Sequence, residues 1–272
     1  MKVFIVSDME GVAGIVKWEQ TDGTKAGVAF QEGRELYTEE INAAVRGART
    51  GGATEIVVMD CHGAGGEWTF NSLIPEKLDK GCEYVVQNEW TEYTELLEQG
   101  CDAALFVAMH AKAGTPDGVM SHTVSGQAWR NLEFNGVSVG ETGINAALCG
   151  HWGCPVVLVT GDRAVCREAK ELLGSGLTTV EVKRGLGRYS ARNVAPRRAR
   201  EMVEDGARRA LQDLGGAVPP YDPGKPCEIK IEFTTPDRLV EYRNRRGVEQ
   251  VDDLTLVSRA DDWWAAWSQF FF

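Results

Sequence analysis

Hydrophobic positions fall into short runs separated by stretches with helical spacing. Val3–Ser7, Glu55–Met59, Ala104–Met109 and Val156–Thr160 are near-continuous apolar segments, the pattern of strands covered on both faces. Between the first two, Leu36, Ile41, Ala44, Val45 and Ala48 recur on one helical face within 34–49, and Gly51-Gly52 stops the run. Strands alternating with helices predict an α/β fold whose mostly parallel central sheet is flanked by helices. Asn135-Gly136, set between Leu132-Glu133-Phe134 and Val137-Ser138-Val139, predicts a hairpin that interrupts this order. A helix from Glu141 to His151 follows it.

After Val182 the character shifts. Residues 196–214 read as a charged helix opened by Pro196, and Cys227–Phe233 alternates like a half-buried strand. Residues 255–258 form a further strand and 261–272 an aromatic-rich closing helix. With Pro219–Gly224 as the best candidate boundary, the expectation is an α/β core at 1–190 and a smaller α+β portion at 191–272 packed on it.

Composition narrows the classes of function. The chain has 272 residues, 43% hydrophobic and 25% charged, as in ordinary globular proteins. Its 29 Lys and Arg against 40 Asp and Glu give a net charge of −11, which argues against nucleic acid and anionic membrane as partners. No apolar run approaches the roughly 20 residues of a membrane-spanning helix, and the first residues read as a strand, not a signal peptide. Seven cysteines, scattered and without a C-x-x-C pair, point to buried thiols in a reducing compartment, hence the cytoplasm.

Candidate chemistry lies at the predicted carboxyl ends of the strands, where doubly wound sheets gather ligands. The first strand ends in Ser7-Asp8-Met9-Glu10-Gly11, the second in Asp60-Cys61-His62, the third in His110-Ala111-Lys112. His122 lies on a glycine-flanked loop read as mobile, and Glu141 opens the helix after the hairpin. Singly, each has a bland explanation: a strand-end Asp caps a turn, Asp60 accepts hydrogen bonds from the loop after it, and Asp162 N-caps a helix. Jointly, two carboxylates one residue apart repel each other unless a cation lies between them, and imidazole plus carboxylate ligation suits a catalytic two-metal site. The Gly11–Gly14 and Gly63–Gly66 runs match neither dinucleotide nor P-loop spacing. His151 has no such context and is given no role.

Five blocks, Ser7–Gly14, Asp60–His62, His110–Ala113, Gly118–His122 and Val139–Ala146, together resemble the DppA-type zinc-dependent D-aminopeptidases, peptidase family M55. The resemblance implies two Zn²⁺ per subunit held by Asp8, Glu10, His62, His110 and Glu141, with His122 as the catalytic residue. It implies release of an N-terminal D-amino acid from short peptides such as D-Ala-D-Ala. It also implies a homo-oligomer, a decamer of stacked pentameric rings. Arg163 stands where the family pattern carries an Asp, and the tail from Asp261 matches none of its motifs. Two alternatives remain beside this: a dinuclear metallophosphoesterase, whose Asp-x-His and Gly-Asn-His elements are absent here, and a non-catalytic metal- or peptide-binding protein associated with peptide uptake.

Overall fold

Residues 1–25, 27–63, 70–88, 94–216 and 218–271 are described in the computed structural model of the chain. Strand β1 (Lys2–Ser7) divides its side chains between two cores, Val3 and Ile5 entering one and Phe4 and Val6 the other. Burial on both faces is what its unbroken apolar run specifies. The chain continues through α1 (Val28–Thr50), β2 (Glu55–Asp60), β3 (Glu83–Val85), α2 (Glu95–Glu98) and β4 (Ala103–Met109). Next come β5 (Trp129–Phe134), β6 (Val137–Ser138), α3 (Glu141–His151), β7 (Val156–Asp162), α4 (Arg163–Leu173), β8 (Thr178–Gly187) and β9 (Ser190–Asn193). The last part holds α5 (Pro196–Gln212), β10 (Cys227–Phe233), α6 (Pro236–Leu239), β11 (Val248–Gln250), β12 (Thr255–Ala260) and α7 (Trp263–Phe271).

The first sheet has the order β3-β2-β1-β4-β7-β8-β9 and is parallel except for β9. Helices α1 and α5 cover one face, and α2, α3 and α4 the other. Strand order reverses between β1 and β4, so the loops leaving them diverge and open a crevice at their carboxyl ends. All four apolar runs lie in this sheet, and the α/β expectation holds.

The second sheet is antiparallel, in the order β11-β12-β10-β5-β6. Asn135 (φ 46°) and Gly136 (φ 80°) both take left-handed conformations, the pair a two-residue hairpin turn requires. Alternate residues of β10 are buried, and Ile229, Ile231 and Phe233 pack with Trp129, Phe134, Trp263 and Trp267 into a third core.

The two sheets are interleaved along the chain. Strand β9 folds back on β8 as an edge strand, and α5 packs on α1, so residues 190–212 complete the first sheet's layers. The β5–β6 hairpin instead leaves the first sheet to pair with β10. That pairing sets where α3 begins. Residues 64–66 of the second glycine run lie outside the described residues. Among the described residues no helix is long and apolar enough to cross a membrane.

Candidate metal centre

The crevice between β1 and β4 is built by close backbone contact. Asp8 N–H donates to the Val107 carbonyl at 3.0 Å, and Gly11 N–H to the Ala108 carbonyl at 2.8 Å, so the loop after β1 lies flat against the end of β4. A side-chain carbon on Gly11 would stand 2.2 Å from Ala108 O, which leaves glycine as the only residue that fits. Ala108 itself has φ 64°, and its N–H is held by Thr160 Oγ1 at 2.9 Å. This left-handed residue breaks the β4–β7 register just before His110.

Beneath the same loop Lys183 reaches up from β8. It is 2% exposed, and Nζ donates to the carbonyls of Glu10, Val12 and Ile15 at 2.5, 2.8 and 2.7 Å. Three acceptors require three N–H donors, so the geometry needs the ammonium. Burial lowers its pKa to about 8, still charged at pH 7. Glu40 of α1 lies beside it and accepts from Ala13 N–H at 3.2 Å.

The six residues expected to carry the chemistry come together here. Asp8, Glu10, His62, His110 and His122 are buried, and the Glu141 side chain is 18% exposed. Asp8 lies between two lobes. Its Oδ1 is 3.2 Å from His62 Nδ1, and its Oδ2 is 3.2 Å from His110 Nε2. His62 Nδ1 is also 3.0 Å from Glu10 Oε2, and His110 Nε2 is 3.3 Å from Glu141 Oε1. His122 stacks on His110 with ring centroids 4.0 Å apart, its Nε2 3.8 Å from Glu141 Oε1.

Each imidazole has its other nitrogen fixed by a backbone carbonyl. His62 Nε2 meets Thr21 O at 2.8 Å, His110 Nδ1 meets Ala111 O at 3.0 Å, and His122 Nδ1 meets Met120 O at 2.9 Å. A carbonyl only accepts, so these nitrogens carry the protons, and in the neutral rings the lone pairs face inward. Asp8 Oδ2, both Glu10 oxygens and His110 Nε2 are buried without a hydrogen-bond partner. Inward lone pairs beside orphaned carboxylate oxygens are a donor set for divalent cations, with the outward hydrogen bonds usual for metal-bound histidine. Two triads, Asp8–Glu10–His110 and His110–His122–Glu141, have ligand atoms within 4.8 Å of one another.

Electrostatics agree. Burial disfavours the imidazolium at His62 and His110, yet the carboxylates beside them, Glu10 and Asp8 at the first, Glu141 and Asp8 at the second, hold both well above the usual histidine range. Burial likewise opposes ionisation of Asp8, which the facing imidazoles still pull well below 3.8. Without metal the pocket retains protons in the places a cation would take. His122 differs. Burial and the facing His110 press its imidazolium below 6.5.

The loop carrying His122 is pinned, unlike the mobile segment expected. Met120 N–H donates to Arg188 O at 2.7 Å, His122 N–H to Ala111 O at 3.3 Å, and Ala113 N–H to Thr123 Oγ1 at 3.1 Å. Val124 N–H donates to Glu141 Oε1 at 2.8 Å. Asp60 does bind the following segment, accepting from His62, Ser72 and Leu73 N–H and from Tyr37 Oη. Asp162 caps α4 through Val165 N–H and also accepts from Val119 N–H at 2.6 Å. Lys183 and the three carbonyls were missed. A lone lysine in an alternating strand looks solvent-facing, and backbone acceptors leave no mark in a sequence.

The M55 family profile, described as D-aminopeptidase, matches residues 1–272. This chain belongs to the D-aminopeptidase family. A D-aminopeptidase of Bacillus subtilis (strain 168) is 32% identical over 234 residues, covering 86% of this chain and 81% of that protein. The solved structure of the Zn-dependent D-aminopeptidase DppA from Bacillus subtilis, described as a self-compartmentalizing protease, superposes with a TM-score of 0.88. It is 29% identical, and the match covers 99% of this chain and 95% of that one. Family membership over the whole chain places the molecule among metallopeptidase hydrolases and sets the phosphoesterase alternative aside. The aromatic tail falls inside the matched range, and Arg163 spends its charge on Glu181, 3.0 Å away at the surface.

Proposed function

We propose that the chain is a zinc-dependent aminopeptidase that removes the N-terminal residue, of D configuration, from short peptides such as D-Ala-D-Ala. Asp8, Glu10, His62, His110 and Glu141 would hold two Zn²⁺, Asp8 being the carboxylate that faces both histidines. One observation carries this: Asp8 Oδ2, both Glu10 oxygens and His110 Nε2 are buried without a hydrogen-bond partner, and backbone carbonyls hold the outer nitrogens of His62 and His110 so that their inner nitrogens face these carboxylates. The two oxygens of Asp8 serve different histidines, which favours two ions over one. Bound divalent ions would supply Lewis-acid polarisation of a peptide carbonyl and a water acidified to near-neutral pKa.

His122 supplies the proton transfer. Its Nδ1 proton is committed to Met120 O, and its depressed pKa leaves Nε2 unprotonated at pH 7. Nε2 therefore accepts a proton as water adds to the carbonyl carbon, then delivers it to the nitrogen of the departing amine as the C–N bond breaks. Water is consumed, and a free amino acid and a shortened peptide leave. Trp18, edge-on to the His122 ring at 5.2 Å, shields it on one side. Assembly as a homodecamer and a cytoplasmic location complete the reading, supported by the description of DppA as a self-compartmentalizing protease and by seven free thiols.

The test pairs D-Ala and L-Ala para-nitroanilides, with and without chelator, against metal content by elemental analysis. Chelator-sensitive cleavage of the D substrate with two metals per chain is expected, and Asp8→Ala should lower that count. Metal-independent cleavage, or an unchanged count in Asp8→Ala, would refute the site assignment.

A further inference from the structure

The carboxylate–histidine cluster accounts for only one end of a peptide. On the other side of His122 a cavity of about 390 Å³ opens, walled by Ser121, Gly126, Trp129, Arg130 and Arg188 among others. Two arginines on one cavity are notable in a chain of net charge −11. Arg130 shares its charge with Glu232 at 3.2 Å. Arg188 has no carboxylate partner among the described residues, and its guanidinium lies over the Tyr189 ring, 5.4 Å from the centroid.

The turn bearing Arg188 is tied to the loop bearing His122. Met120 N–H bonds to Arg188 O, and Trp18, which flanks His122, donates Nε1–H to Tyr189 Oη at 3.2 Å. Gly126 gauges the space between them. A side-chain carbon there would lie 3.4 Å from Arg188 Nη2 and 3.5 Å from His122 Cβ. The guanidinium tip and the Cβ of His122 thus border one opening, and a side-chain carbon at 126 would touch both.

We infer that Arg188, across Gly126 from His122, binds the C-terminal carboxylate of the substrate, so that the site is built for free di- and tripeptides. This rests on the aminopeptidase reading above and adds the feature that selects peptide length. An extended peptide advances about 3.5 Å per residue, so a carboxylate one or two residues beyond the bond cleaved beside His122 falls within reach of Arg188. The planar guanidinium offers paired N–H donors that match a carboxylate, and stacking on Tyr189 limits its rotamers before substrate arrives. Longer chains carry their carboxylate past this point and leave the donors unused.

The experiment compares kcat/KM for D-Ala-D-Ala and its C-terminal amide, with D-Ala para-nitroanilide, which has no carboxylate, as reference. The wild type should prefer the free acid over the amide by about 10-fold or more. Arg188→Met should lower kcat/KM for the acid by about 10- to 100-fold, chiefly through KM, and for the amide far less, bringing their ratio close to one. Arg188→Lys, which keeps the charge without the fork, should fall between. Equal use of acid and amide by the wild type, or a proportional loss on both in Arg188→Met, overturns the anchor while anilide cleavage leaves the aminopeptidase reading standing. Failure to cleave any of the three D substrates overturns both.

Discussion

Three histidines share one device: a main-chain carbonyl holds the proton on the outer nitrogen, at Thr21, Ala111 and Met120, and the inner nitrogen is left to the cavity. What separates His122 from the other two is its company. His62 and His110 each touch two carboxylates, whereas His122 faces an imidazole and stands 3.8 Å from Glu141. His122→Ala should therefore keep its metal and lose on the order of 10²-fold in kcat, checked by elemental analysis beside the anilide assay. Loss of metal would make it a ligand. On the proposal that the neutral ring takes the proton, activity should decline as pH falls through an apparent pKa below 6.5. The sequence displays these side chains through their joint placement at successive strand ends, since each taken singly has a bland explanation, as Asp60 and Asp162 do here. It hides Lys183 and the orienting carbonyls, whose part is visible only once strands, loops and main chain are placed together.

At the level of elements, the loop after β1 is held from below by Lys183 and from the side by β4. The ammonium binds three carbonyls within Glu10–Ile15, one of them that of Glu10 itself, so it sets the course of the backbone that aims this carboxylate. Lys183→Met should weaken zinc affinity by about 10- to 100-fold, as for other supports of metal-bound side chains, measured by competition with a chromogenic chelator. Unaltered affinity would reduce Lys183 to a packing residue. The strands themselves are easy to read because burial on both faces writes unbroken apolar runs, and Asn135-Gly136 is unambiguous chemistry for a tight turn. Sheet membership is not written in this way. Whether β5 pairs with its neighbours in the first sheet or with β10, about a hundred residues on, depends on long-range register, and no local pattern encodes that.

For the molecule as a whole, Glu40 is an unpaid cost at neutral pH. Burial lifts its carboxyl from 4.5 to about 7, even with Ala13 N–H, Lys183 and Arg200 opposing. Between about pH 4.5 and 7 the folded chain keeps a proton there that the unfolded chain has lost, so this group makes stability fall as pH rises across that window. Glu40→Gln should outlast the wild type in urea by up to about 3 kcal/mol at pH 8 and match it near pH 4.5. An identical difference at both pH values would point to packing instead of ionisation. The interleaved sheets carry another consequence. A nascent chain that has emerged as far as α4 already contains every side chain assigned to the metals and to proton transfer, yet the hairpin that delivers Glu141 still lacks its neighbour β10. The ribosome must add some sixty residues more, through Phe233, before that hairpin is flanked. On the proposed ligand set, ion capture would thus belong to the end of synthesis, and a truncated product would be left with its hydrolytic machinery unassembled.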